Sequence, residues 1–247
     1  MSAAERLRAA AAEVADLRAR PATNSAVRSR HRSLRRWQAA RLAETHADLL
    51  ASARYAAPTR FFLDELYGVK DFSQRDGELA RVIPTLIRLL PEAALQTLAD
   101  AVELDALSER LDARMAQALA DDPACPADGI DEAAYIRAFR TVGEWADRDA
   151  QIDRVEQVGQ ALDRLVRHPL LGRLLSAMEG PARLAGLSAM QAFLASGFQA
   201  FKTMGGAQVF LDTVLTRERA LMARLQSSDP DPFDRRSKHS GRTGQTR

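Results

Sequence analysis

Cysteine is nearly absent from this chain of 247 residues: Cys125 stands alone, so no internal disulfide and no multi-cysteine zinc or iron–sulfur site can form. That thiol lies between Pro123 and Pro126, away from any helix start or basic neighbour that would tune a nucleophile. Aromatic residues are only 6% of the chain, which leaves the core to be built from Leu, Ala, Val and Met. No stretch approaches the roughly 20 apolar residues of a membrane span, and the charged, alanine-rich start MSAAERLRAAAAEVADLRAR has no uninterrupted apolar run of the secretory type. A soluble protein with the cytoplasm as its default compartment is expected. β-Branched residues never alternate along a segment, so strands are not expected either.

What the chain has in quantity is Ala, Leu and Arg, all strong helix formers, and the expected class is all-α. Charge is unevenly spread. Residues 1–60 hold twelve arginines and five acids, whereas residues 61–228 hold 18 basic and 25 acidic residues. A basic N-terminal segment facing an acidic body is the simplest consequence of that asymmetry.

Turn formers divide the sequence into roughly eight helices in a single bundle. Pro21 ends a first helix over 3–19, and a second runs from Ser25 to Tyr55 with Val27, Leu34, Leu42 and Leu49 on its inner face. Pro58 opens a short helix closed by Gly68, and Ser73 caps the next, which Pro84 should kink or split. Pro91 starts a long helix whose buried side carries Leu95, Leu98, Val102, Leu107 and Leu111. After the break DDPACPADGI (121–130), Asp131 caps a helix reaching Arg167. Pro169, Gly180-Pro181 and Gly205-Gly206 then mark three more. This gives an arginine-rich helical segment over 1–57, a body over 58–226 and a tail over 227–247, rich in Ser, Pro, Gly and Arg, that is expected to be disordered.

Three groups of residues could carry chemistry. Arg28, Arg32, Arg35 and Arg36 cluster on one side of the second helix, as neutralisation of nucleic-acid phosphates requires, although no recognised DNA- or RNA-binding motif accompanies them. His46, on the apolar side of that helix, and His168, before Pro169, are the histidines that could serve as a haem axial ligand; otherwise no cofactor is expected, and no metal-ligand spacing occurs. The segment RFFLDELYGVKDFSQRD (60–76) concentrates aromatics among charges. It reads as an aromatic plug with a charged rim or as a ligand pocket oriented by Glu65, Tyr67 and Arg75 and lined by Phe61 and Phe62. A coiled-coil-like stripe of Leu184, Leu187, Gln191, Leu194, Phe198 and Phe201 has Gln191 as its one polar member, which could bond Glu218 of the next helix or reach into that pocket.

The string Phe61-Phe62-Leu63-Asp64-Glu65-Leu66-Tyr67-Gly68 resembles the signature of a bacterial family named for its FFLEELY motif, with Asp64 in place of the first glutamate. The later stretches RHPLLGRLL and AFLASGFQAF are similar to it too, so the resemblance covers about residues 55–225. It implies a helical fold and no established reaction. With no unit of nucleophile, base and orienting partner in view, the leading expectation is a non-enzymatic interaction or scaffold protein with a protein partner or as a homodimer. A helical pocket for an apolar or haem-like molecule comes second, and a nucleic-acid-associated protein third.

Overall fold

The computed structural model describes residues 1–19, 25–66, 73–227 and 229–233. Among them are eleven α-helices, one π-helical turn and no strand, so the all-α expectation holds. Tyr67, the turn expected after it and the residues beyond Phe233 lie outside the described residues.

Helix α6 (Glu92–Asp121) is the axis of the molecule, 30 residues and so roughly 45 Å long. Helix α1 (Ala3–Ala19) lies along it. Ala3, Leu7, Ala10 and Val14, spaced four, three and four, are buried against Leu95, Ala99 and Val102 of α6 and Ile83 of α5 (Ser73–Leu89). Ion pairs seal the edges of that contact: Arg6 with Asp100 and Glu103, Arg110 with Glu13, and Arg18 with Asp105 and Glu109. The basic start of the chain therefore docks on the acidic side of the body, as the charge asymmetry implies.

Helix α2 (Ser25–Thr45) crosses α6 beside α1 and continues, past a joint at His46, into α3 (Ala47–Ala51). The turn Ser52–Tyr55 breaks the single helix expected to reach Tyr55, and it is followed by α4 (Ala56–Phe61) and the π turn Phe62–Leu66. Helix α5 runs unsplit through Pro84.

Asp131 caps α7 (Glu132–Val142) by accepting from the Ala134 amide at 2.7 Å, as its position in sequence suggests. The helix expected to continue to Arg167 stops instead at Gly143 (φ 62°) and Glu144 (φ 54°), two successive left-handed residues that no α-helix tolerates, and restarts as α8 (Trp145–Leu165).

Helix α9 (Pro169–Leu184) runs through Gly180-Pro181, where a break was expected. It ends at Leu184, three residues after Pro181, in a Schellman turn: Gly186 takes φ 66° while the Leu187 amide reaches back to the Ala182 carbonyl at 2.8 Å. Helices α10 (Ser188–Met204) and α11 (Gln208–Gln226), joined through Gly205 and Gly206, complete the bundle. The start of the expected tail is packed. Pro232 is fully buried, and Phe233 closes over Trp37 and Tyr135, which themselves stack at 3.8 Å.

Candidate functional site

The aromatic pair of FFLDEL is divided by the π turn. Phe62 turns into the core, with ring centroids 5.9 Å from Phe201 and 5.6 Å from Phe210. Phe61 lies over Gly197 of α10 so closely that a Cβ there would meet its ring at 2.8 Å, and it also contacts Phe193 at 5.6 Å. This fixes α4 and the π turn against α10. The two carboxylates that follow are left at the rim, Asp64 exposed and Glu65 half-buried.

Between the π turn and α10 lies an open cleft of about 330 Å³. Phe61, Asp64 and Glu65 form one wall and Ser196, Gln199 and Thr203 face them. Its volume is at the small end of the range of ligand sites. Carboxylates opposite hydroxyls and an amide can receive a cationic or hydrogen-bonding group. The lining holds no histidine, cysteine or lysine that could act as a nucleophile or a base near neutral pH. No group of His, Cys, Asp and Glu suited to a metal ion occurs among the described residues.

The remaining pocket candidates are elsewhere. Gln191 donates to the Leu175 carbonyl at 2.7 Å and so ties α10 to α9 rather than to Glu218. His168 is exposed ahead of α9. Tyr67 and the side chain of Arg75 lie outside the described residues. His46 is 4% exposed and belongs to a polar layer about which the sequence offered little warning.

That layer crosses the bundle between α2, α6, α8 and α11. Arg41 Nη1 donates to both oxygens of Glu218 at 2.6 Å, and His46 Nε2 is 3.3 Å from Glu218 Oε1, while His46 Nδ1 is buried with no partner. Burial alone would raise the Glu218 carboxyl, but the Arg41 charge and the hydrogen bonds from His46 and Arg41 hold it down at about 2. Gln38 donates to Asp112 at 3.0 Å, and here burial prevails and pushes the carboxyl up. Arg148, 6% exposed, lays its guanidinium over the Phe139 ring at 3.6 Å and donates Nε to the Gly143 carbonyl at 2.8 Å, and burial lowers its pKa. Burial likewise raises the Cys125 thiol, whose Sγ faces the Gly129 carbonyl.

The arginine run of α2 is sorted by direction. Arg35 pairs with Glu109, and Arg30 donates to the Pro126 and Gly129 carbonyls, pinning the 121–130 loop. Arg28, Arg32 and Arg36 are exposed on the outer side. A signal for the inner arginines did exist. Asp105, Glu109 and Asp112 stand at steps of four and three on α6, an acidic ridge of the period that a facing arginine helix would meet.

Residues 17–232 match the family described as Domain of unknown function (DUF8198). The chain belongs to that family. No curated protein and no solved structure matches it. The DUF8198 match begins near the end of α1, takes in α2 to α11, and stops at the buried Pro232.

Proposed function

We propose that this DUF8198 protein is a non-enzymatic interaction protein of the bacterial cytoplasm that self-associates through helix α9. The observation that carries this reading is the isolation of that helix. Among the described residues its one substantial neighbour is α10, and Leu170 and Leu184, near its two ends, are 62% and 91% exposed. Leu170, Ala177 and Leu184 are each seven residues apart and so share one outward face of α9. Leucines so placed lose solvation free energy that burial against a partner recovers, at about 25 cal/mol per Å² of apolar area.

The face suits a second copy. An antiparallel pairing centred on Ala177 sets Leu170 opposite the partner's Leu184, with the small side chain of Ala177 at the crossing, which is the self-complementarity that a two-fold interface requires. By contrast, the stripe of Leu187, Leu194 and Phe201 is spent inside the molecule, against α5 and the core below the π turn. On this reading the FFLEELY-like turn is a packing hub that holds α4 on α10, and so steadies the α9–α10 hairpin.

Sedimentation velocity across a wide concentration range tests it. The wild-type chain of 27.1 kDa should move to a dimer as concentration rises. The double variant Leu170→Glu, Leu184→Glu should stay monomeric with an unchanged melting curve. A wild type that remains a monomer at the highest concentration, or a double variant that still dimerises, overturns the reading.

A further inference from the structure

Residues 229–233, Asp-Pro-Asp-Pro-Phe, lie against an aromatic stack that the helices build without them. Trp37 of α2 stacks on Tyr135 of α7 at 3.8 Å, and Phe139, one turn further along α7, is 5.7 Å from Tyr135. Tyr135 is buried, whereas Trp37 is half-buried. Phe233 sets its ring edge-on to both, with centroids 5.5 Å from Trp37 and 6.0 Å from Tyr135, and Pro232 beside it is fully buried.

The backbone of this segment is fastened only near its start. Arg140 of α7 donates Nη2 to the Asp229 carbonyl at 2.6 Å, and the Asp229 amide donates to the Arg224 carbonyl at 3.2 Å. Asp229 Oδ1 accepts the Asp231 amide at 2.9 Å, an Asx turn that leads the chain into the Pro-Phe pair. Among the described residues, Pro230, Pro232 and Phe233 make no hydrogen bond. The Pro-Phe pair is therefore held by ring contact and desolvation, and a short segment held in that way opens at far less free energy than the whole fold. The Trp37 indole N–H has no acceptor among the described residues either, so the stack keeps one donor unused.

We propose that this aromatic slot recognises an extended, proline-rich peptide of a partner protein that ends in Pro-Phe, and that Pro232 and Phe233 occupy it as a tethered competitor. Proline-rich segments suit aromatic-lined grooves because their extended form is already set and little entropy is lost on docking. The chain's own segment displays the chemistry that the slot takes: a buried proline, a phenylalanine edge against an indole, and an arginine on the carbonyl three residues before that proline. Tethering gives this segment an effective concentration on the order of millimolar. A partner peptide displaces it by presenting the same pair with one more contact, for which the Trp37 N–H is the donor at hand.

The test is fluorescence anisotropy of a fluorescein-labelled peptide, Asp-Pro-Asp-Pro-Phe, titrated with the full-length protein. Pro232→Ser with Phe233→Ala vacates the slot, and this variant should bind the peptide at least tenfold more tightly than wild type, since the competent state is no longer masked. Adding Trp37→Leu should abolish that binding. A peptide with alanine in place of its phenylalanine should bind neither protein, a comparison that needs no further variant. Circular dichroism melting confirms folding, and Phe233→Ala alone serves if the pair does not fold. The proposal is overturned if the folded, vacated variant binds the peptide no more tightly than wild type, or takes the alanine peptide equally well. A dimer that persists in Leu170→Glu, Leu184→Glu but is lost on vacating the slot would assign the slot to residues 229–233 of a second copy and overturn it too.

Discussion

Glu218 and Asp112 are both carboxylates drawn inside the bundle, and their surroundings move them in opposite directions. Glu218 has Arg41 and His46 against it, so its charged form is favoured in the fold and removing that charge strands a buried guanidinium. Glu218→Gln should cost about 3 kcal/mol at neutral pH, the usual penalty for breaking a buried pair from one side. Asp112 faces the amide of Gln38 and is held closer to its neutral form. Asp112→Asn keeps an acceptor for Gln38 and discards a charge that the interior disfavours, so it should leave stability unchanged or raise it. Urea unfolding of both variants at neutral pH checks the pair, and an Asp112→Asn loss as large as that of Glu218→Gln would refute the assignment. His46 and Glu218 were both visible in the sequence as polar residues on apolar stripes. Their pairing was not, because 172 residues separate them and no local rule links positions so far apart.

At the scale of the helix, glycine acts by what stands opposite it. Gly159, mid-way along α8, has Leu211 of α11 so near that a Cβ would come within 2.5 Å of Leu211 Cδ2, and Leu211 is itself buried. Gly180, inside α9, has nothing within 4 Å of where its Cβ would be. Alanine is worth about 1 kcal/mol over glycine inside a helix, while overpacking a filled site costs about 1 to 3 kcal/mol. Gly180→Ala should therefore raise the melting temperature and Gly159→Ala should lower it. Calorimetry on the two variants distinguishes them, and a gain in both would mean that the α8–α11 contact is looser than described. Turn chemistry predicted starts better than stops. Asp131 and Pro91 precede helices where expected, because caps and prolines act on adjacent backbone groups. Pro84 and Pro181 did not stop their helices, and the break at Gly143–Glu144 rests on a left-handed glutamate, for which sequence gives no signal.

Over the whole molecule, ion pairs join the N-terminal helices to the body, and Glu103, Asp48 and Glu218 among them are all lowered. Hydrogen bonds from Arg6 lower the Glu103 carboxyl, those from Arg217 hold Asp48 at about 2, and Glu218 also lies at about 2. A carboxylate lowered in the fold contributes stability that is complete above its unfolded pKa and is lost as pH falls through the folded one. The melting temperature should therefore be flat near neutrality and fall steadily from about pH 4.5 towards pH 2, as the unfolded chain takes up protons before the folded one. A melting temperature followed by circular dichroism that stays level down to pH 3 would contradict this. Leu7 and Val14 bury apolar area in the same α1–α6 contact, so α1 should hold to the body even where the ion pairs are lost.

The sequence by itself determined the helical class, most helix starts, and the attraction between a basic beginning and an acidic body, since propensity, caps and net charge are properties of residues and near neighbours. It also singled out the FFLDELYG segment as unusual. Only the tertiary structure decided that Phe61 and Phe62 would face different partners, that Arg30 and Arg35 would turn inward while Arg28, Arg32 and Arg36 stayed out, and that Leu170 and Leu184 of α9 would be exposed. Those outcomes depend on which helices meet at which angle, a matter settled by the summed packing of side chains far apart in the chain, and no single stretch of sequence contains that sum.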